Sequence, residues 1–403
     1  MKKIALTIWG FAFALVAYCQ TAVITVTNTE KVQRQEVVEV DMQKVCDALK
    51  CSSAVKFVVK NALNQEVSYQ TTYDGKLLLD VSVRPCGTAT FTIEQGEPAP
   101  MKTFVHGAYH PERVDDIAWE NDRTAYRLYG PALQASGERA FGNDVWVKNT
   151  PDLEVDKRYS VEHAAADKIK ELKAQGKEKE AFDLEVATTY HFDHGYGLDC
   201  YKVGPSLGCG TPAVLLDGKI IFPYCYKEYK ILDNGPLRFT VDLVYNPTKI
   251  GKNENVVEHR ILSLDKGSNF NKMIVWYDGF TKPYEICSGI VVHAEDTESV
   301  VMGNGYVQYA DPTDNPTKQN FQIYTAAVFP QNDVKTKFLK ADKVENGIAG
   351  HVIGYKTMKP NEKFTYYFGS AWSKYDVRNQ NEWQCRINTF MDEINMPLQV
   401  TVK

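Results

Sequence analysis

The segment RFTVDLVYNPTKIGKNENVVEHRILSLDKGSNFNKMIVWY, residues 238–277, decides the fold class. Within it, Arg238 to Tyr245, Val256 to Leu264 and Lys272 to Tyr277 alternate apolar and polar residues, the period-two pattern of strands with one buried face. Similar strand-like stretches flank it: Ile220-Ile221-Phe222 upstream, then Ser288 to His293, Phe321 to Phe329, Phe364 to Phe368 and Leu398 to Val402. Two helices interrupt the pattern. Ser160 to Ala181 carries Ala164-Ala165-Ala166, Ile169 and Leu172 among many charges, with Ser160 as its cap, and Arg378 to Ile394 is the second. The chain is therefore mainly β, and residues 101–403 are expected to form a large antiparallel, supersandwich-like β-sandwich with a helical insertion near 160–182.

Upstream, Ala22 to Val26, Glu36 to Val40, Val67 to Tyr73, Leu77 to Val83 and Ala89 to Ile93 are short strands with Gly and Pro between them. They define a small N-terminal β-sandwich over residues 20–100, which ends in the linker EQGEPAP, 94–100. Before it, Lys2 and Lys3 precede an apolar stretch from Ile4 to Val16 and then Ala17-Tyr18-Cys19. This is too short for a membrane span and has the layout of a cleavable signal peptide, residues 1–19. The mature protein is expected in the periplasm or outside the cell. Lipidation of Cys19, giving an outer-membrane lipoprotein, is the competing reading, and the bulky Tyr18 before it argues against that.

The 403 residues include 46 basic and 51 acidic side chains, a net of −5, and loss of Lys2 and Lys3 takes this to −7. The basic residues are dispersed and form no stripe, which argues against a nucleic-acid partner. No later apolar run reaches transmembrane length. The 23 Tyr and six Trp have apolar bodies with polar tips, suited to a half-wet sugar groove as well as to a core. Cysteines 46, 51, 86, 200, 209, 225, 287 and 385 remain after processing. An oxidising compartment permits disulfides, and Cys46/Cys51 and Cys200/Cys209 are the pairs close in sequence; buried free thiols are the alternative.

Two segments carry the candidate chemistry. In AWENDRTAYRLYGP, 118–131, a strand reading puts Trp119, Asn121, Arg123, Ala125, Arg127 and Tyr129 on one face. Aromatic platforms beside two guanidinium forks suit a carboxylate-bearing sugar; arginines paired with Glu120 or Asp122 are the structural alternative. In YHFDHGYGLDCYKVGPSLGCGT, 190–211, a Gly-rich loop gathers His191, Asp193, His194, Asp199, Tyr201 and Lys202. Proton transfer through these groups competes with a divalent metal held by His191, Asp193 and His194, and with structural hydrogen bonding. The phosphate-loop spacing G-x-x-x-x-G-K-[ST] is missing. His110 and Arg113, in YHPERVDD, precede the Trp119 strand and are expected in the same cleft; His106, His163, His293 and His351 stand alone and are read as structural.

Taken together, HPERVDDIAWENDRTAYRLYGPAL, DVWVK at 144–148, YHFDHGYGLDCYKVGPSLGCG and the opening RQEVVEV at 34–40 resemble one family of exported proteins of polysaccharide-degrading bacteria. That family was long known only as a domain of unknown function, and an oligosaccharide dehydratase acting on terminal uronic acids is attributed to it. The resemblance covers nearly the whole mature chain; the insertion around 160–182 and His110 stand as departures bearing on substrate fit. It implies removal of water across C4 and C5 of a non-reducing-end uronic acid. The residue chemistry then puts Arg123 or Arg127, with Asn121, on the substrate carboxylate. It makes His191 or His194 and Tyr201 the acid and base, with Lys202 in reserve. A glycoside hydrolase using two carboxylates among Glu120, Asp122, Asp193 and Asp199, and a non-catalytic glycan-binding protein, are the rival functions.

Overall fold

The computed structural model describes residues 21–52, 55–313 and 320–403, so the proposed signal peptide lies outside the described residues. The fold is mainly β, with antiparallel sheets as expected. Five helices accompany them among the described residues: α1 Met42–Leu49, α2 Pro131–Ala135, α3 Val155–Ala174, α4 Glu178–Thr188 and α5 Gln380–Asn395.

Two small sheets build the N-terminal sandwich. One runs in the order Gln399–Val402, Thr21–Thr27, Thr88–Gln95, Phe57–Asn61, and the other Arg34–Asp41, Lys76–Val83, Tyr69–Thr71. Ala22, Ile24, Val26, Val40, Leu77, Leu79, Phe91 and Ile93 close a core between them, with Val45 and Leu49 of α1. The last strand of the chain completes the first sheet, with Ile24 opposite Val402.

The larger body stacks three sheets. The longest path contains Tyr226–Asn234, Arg238–Tyr245, Asn253–Asp265, Phe270–Asp278, Phe364–Trp372, Ile323–Val328, Tyr306–Asp311 and Val301–Gly303. The segment that opened the sequence reading lies at its centre, with Val241 opposite Leu262 and Leu262 opposite Met273. Against its inner face lie two five-stranded sheets, joined by a parallel bridge between Asn143 and Gly208. One holds Cys209–Leu216 and Tyr284–His293. The other, here the site sheet, runs Gly197–Asp199, Asp144–Lys148, Thr124–Leu128, Asp116–Glu120, His106–His110. Ile117, Trp119, Tyr126, Val145 and Leu198 of the site sheet share one core with Phe239, Met273 and Phe368 of the long sheet.

The helical insertion starts earlier than Ser160 and is two helices. Its N-terminus is capped from a distance: Oε1 of the buried Glu120 accepts from the amides of Glu154 and Val155, each at 2.7 Å. The residue at the N-cap itself, Glu154, makes no side-chain capping bond. Gly176, at φ 73°, divides α3 from α4 by taking the left-handed conformation that ends a helix.

The small sandwich is tied to α5 by Arg34. Its buried guanidinium donates to Met396 O at 3.0 Å and meets Glu36 at 2.6 Å, complementing the C-terminal end of α5. Burial, reinforced by the neighbouring Glu36 carboxylate, pushes the Glu393 carboxyl up to about 7. A carboxyl that binds its proton more tightly when folded removes stability as pH rises from about 4.5 through about 7. Glu393→Gln is expected to flatten that decline and raise stability at pH 8 by on the order of 1 kcal/mol, read from denaturant unfolding at pH 5 and 8.

Candidate functional site

The residues 118–131 are a hairpin, and this corrects the expected face. The turn closes on Asn121, whose side-chain oxygen accepts from the amides of Arg123 (2.9 Å) and Thr124 (3.0 Å). Pairing of Trp119 with Tyr126, and of Ala118 with Arg127, puts cross-strand partners on one face. Trp119 therefore shares the inner, apolar face with Tyr126, and its Nε1 donates to Asn271 at 2.7 Å. The outer face presents Asp116, Arg127, Asp144, Trp146 and, from the Gly-rich loop, Asp199.

Arg127 is the hub of that face. Nε donates to Asp144 Oδ2 at 2.9 Å, Nη2 donates to both Asp144 and Asp199 (2.9 Å to the latter), and Nη1 lies 3.8 Å from Asp116. Tyr129 Oη also donates to Asp144, at 2.8 Å, and its ring lies beneath the guanidinium. Arg127 and the three aspartates are buried, so their desolvation is offset by their mutual bonding. The arginine on the hairpin and Asp199 on the Gly-rich loop thus converge. The same bonds commit Arg127 to the protein, so it is not the free fork expected for a substrate carboxylate.

Arg113 differs: its Nε has no hydrogen-bond partner among the described residues. A 3-10 turn, Pro111–Arg113, ends in Val114 and Asp115 at φ 50° and 67°. Left-handed backbone at a β-branched residue is strained and persists only when neighbours over-determine it. Here Asp115 is held by the Tyr109 hydroxyl and by the Ala132 amide at 3.1 Å, and the Tyr226 hydroxyl holds its carbonyl. A Cβ on Gly130 would fall 1.9 Å from that carbonyl, so only glycine fits opposite the turn. The turn sends the half-exposed Arg113 over the rings of Tyr190 and Tyr159, at 5.1 and 5.7 Å.

Around it lies a concentration of uncommitted polar atoms. Arg113 Nε, Trp146 Nε1, Tyr159 Oη and Tyr190 Oη are buried without a hydrogen-bond partner among the described residues. Asp116 has Arg127, Arg113 and the Gly130 amide nearby, yet neither carboxyl oxygen makes a well-formed hydrogen bond. Burial outweighs the two guanidinium groups and pushes the Asp116 carboxyl up to about 6. Burial also raises both tyrosines, so their hydroxyls remain neutral donors. Tyr159 comes from α3 and Tyr190 follows α4, packed with Trp146 at 5.1 and 4.5 Å. Neither tyrosine, nor Asp116 or Asp144, stood out in the sequence; their signal is the pairing of the site sheet.

The remaining predicted residues divide. His191 is exposed at the edge, its ring 4.5 Å from Tyr190. Its Nδ1 lies 3.1 Å from Asp199 O; a carbonyl only accepts, so Nδ1 carries the proton and Nε2 the lone pair. His110 lies edge-on to Tyr159 at 4.6 Å, between Glu112 (2.9 Å) and Asp156 (3.3 Å). His194 turns its Nε2 to Thr189 O at 3.0 Å. Tyr201 is 5% exposed and packs in the main core, with Cys209, Asp311 and Asp144 nearby. Lys202 is exposed, and its charge acts on His293, which pairs with Asp311 at 3.0 Å and so is not solitary. Asn121 donates to Asp265 O and Ser268 O and is spent on the hairpin. Arg123 pairs with Asp376 and lines a separate cavity of about 430 Å³ with Glu36, Arg386 and Glu393.

The carboxylates proposed for a hydrolase are also occupied: Glu120 by Lys148 and the α3 amides, Asp122 by the Gly267 amide, Asp193 by Lys374 and the amides of Gly195 and Gly197. His191, Asp193 and His194 are not gathered around a common point: Asp193 is bonded to Lys374 and its own turn, and His194 faces Thr189 O. Among the described residues no group of three or more His, Cys, Asp or Glu side chains is arranged for a metal ion. Nor does any described helix have the length and apolarity to cross a membrane.

Fold and site together define a multi-sheet β protein with a buried Arg–Asp–Tyr centre roofed by a helical hairpin. The chain belongs to the family described as Domain of unknown function (DUF4861), whose model matches residues 26–400. Uncharacterized protein P7 of Formosa agariphila is 26% identical over 324 residues, covering 77% of this chain and 73% of that protein. Among solved structures, an α-mannosidase from Enterococcus faecalis V583 aligns at TM-score 0.45 and 9% identity, over 95% of this chain. The galactosidase domain of the α-galactosidase–sucrose kinase AgaSK aligns at 0.30 and 10%, over 66% of this chain. The chain spans 46% and 42% of those two structures.

Two outcomes follow. Arg127→Ala leaves Asp144 and Asp199 buried without their cation and is expected to cost about 3–5 kcal/mol in denaturant unfolding. The second concerns Asp156 in the first turn of α3, which His106 meets at 2.8 Å and His110 at 3.3 Å. Its bond to Asp156 raises the His106 pKa; for His110, burial is outweighed by Asp156 and Glu112. Their stabilisation is complete below the ordinary histidine value of 6.5 and is lost as pH rises through the raised folded values. Asp156→Asn should reduce that alkaline loss, leaving the part Glu112 gives to His110, as measured by melting temperature between pH 5.5 and 8.5.

Proposed function

We propose that the protein is a carbohydrate-active carbon–oxygen lyase: a dehydratase that removes water across C4 and C5 of a terminal uronic acid on an oligosaccharide. The observation that carries this reading is a half-exposed guanidinium, Arg113, set among neutral hydroxyl donors that have no protein partner. The C5 proton of a uronate is weakly acidic, and its loss pushes charge onto the adjacent carboxylate. A bidentate cation there is the largest help a protein can give. Arg113 fills that role. His191, with its lone pair on Nε2 at the rim, takes the C5 proton. Tyr190, between Arg113 and His191, protonates the departing 4-hydroxyl. The bond from C5 to hydrogen and the bond from C4 to oxygen break, the C4–C5 double bond forms, and water leaves.

Asp116 sets the charge of the centre. Protonated, it relieves the anionic surroundings of Arg127, against which a uronate must bind; ionised, it repels the uronate. An export signal read from residues 1–19, together with the resemblance described above, supports the same substrate class.

Incubation with uronic-acid oligosaccharides should produce ultraviolet absorbance from the conjugated C4–C5 double bond. New reducing ends without that chromophore would indicate a hydrolase, and sugar binding without either product a glycan-binding protein. Arg113→Gln should lower kcat/KM at least about 100-fold, and Tyr190→Phe and His191→Ala should lower kcat. Full turnover in both Arg113→Gln and His191→Ala rejects the assignment. KM should rise as pH passes about 6 in the native enzyme and stay level in Asp116→Asn.

A further inference from the structure

We infer that Cys46 and Cys51 are a disulfide site that locks the end of α1. The helix ends at Lys50, in left-handed conformation at φ 49° and ψ 43°. The Lys50 amide reaches Asp47 O and Cys46 O, and the Cys51 amide donates to Cys46 O at 3.0 Å. A bond from the second residue past the helix, Cys51, back to the fourth from its end, Cys46, is the Schellman arrangement. That geometry folds the outer side chain onto the inner one, ordinarily as an apolar contact. Here the two contacting positions are both cysteine, and their thiols lie within hydrogen-bonding reach of each other.

Two further features point the same way. The left-handed position of this motif usually belongs to glycine or asparagine, because a Cβ there costs on the order of 1 kcal/mol. Lys50 bears that cost, and a covalent tie across it holds the turn regardless. Cys46 is 4% exposed within the small core, whereas Cys51 is half-buried against it, so one thiol faces an incoming oxidant and the other waits beneath. The other pair close in sequence lacks this signature: Cys209 Sγ is directed to Gly369 O at 3.6 Å.

The step is thiol–disulfide exchange with a disulfide-bearing oxidant, such as an exported dithiol oxidase or oxidised glutathione. The Cys51 thiolate attacks the oxidant's disulfide and forms a mixed disulfide. Cys46 then attacks Cys51 Sγ and releases the oxidant as thiols. Two S–H bonds are lost, one S–S bond forms, and the oxidant takes up two electrons and two protons. The tie closes the C-terminal turn of α1, whose Val45, Cys46 and Leu49 pack in the core of the small sandwich.

The full chain, folded in a glutathione redox buffer, is denatured in guanidinium with iodoacetamide and digested with trypsin without reduction. The expected product is VCDALK, 45–50, joined to CSSAVK, 51–56, lighter by two hydrogens than the sum and separated by dithiothreitol. Reduction should also lower the melting temperature of the native chain, and Cys46→Ser/Cys51→Ser should abolish that sensitivity. Alkylation of both cysteines in the unreduced sample, or linkage of either to a different cysteine, overturns the inference.

Discussion

A single guanidinium, Arg127, holds the outer face of the site sheet together. That face is polar yet buried, and three aspartates from three strands crowd it. Without a cation at the centre, like charges in a low dielectric would drive the strands apart or force protonation. With it, Asp144 and Asp199 keep well-formed bonds and Asp116, farthest away, is left short of one. The Asp116 carboxyl is raised because burial outweighs the attraction of Arg127 and Arg113.

The roof over this face depends on a second buried pair. Glu120 extends one oxygen to the amides that open α3 and the other to Lys148, which also donates to Asn121 O and Asp152 O. A strand carboxylate thereby serves as the helix cap and fixes where the hairpin of α3 and α4 begins. Only from that anchor do Tyr159 and Tyr190 arrive over Arg113. Stability and chemistry are coupled here: the groups that complete the proposed centre belong to an insertion that is mostly solvent-exposed and is held at its root.

The Gly-rich loop contributes less through its histidines than their clustering suggested. Asp199 is the member driven inward, because it pairs in register with Trp146 at the edge of the site sheet. Asp193 is consumed in closing its own turn, and Tyr201 turns into the apolar core. Titratable residues gathered along a chain need not meet in space, since alternate residues of an extended segment point to opposite faces.

From sequence alone came the mainly β class, because a period of two is a local property that any sheet must respect. Most strands of 238–277 and of the small sandwich were visible for that reason, whereas Arg113, Arg127, His191 and Asp199 stood out as candidates by residue type and clustering alone. Invisible were the reversal at Asn121, which exchanged the faces of Trp119 and Arg127, and the cap that Glu120 supplies to a helix 34 residues away. Equally invisible was the return of the last strand to the first. These are pairings between segments, and the free energy that selects them comes from burying two surfaces against each other, a quantity no single stretch of residues contains.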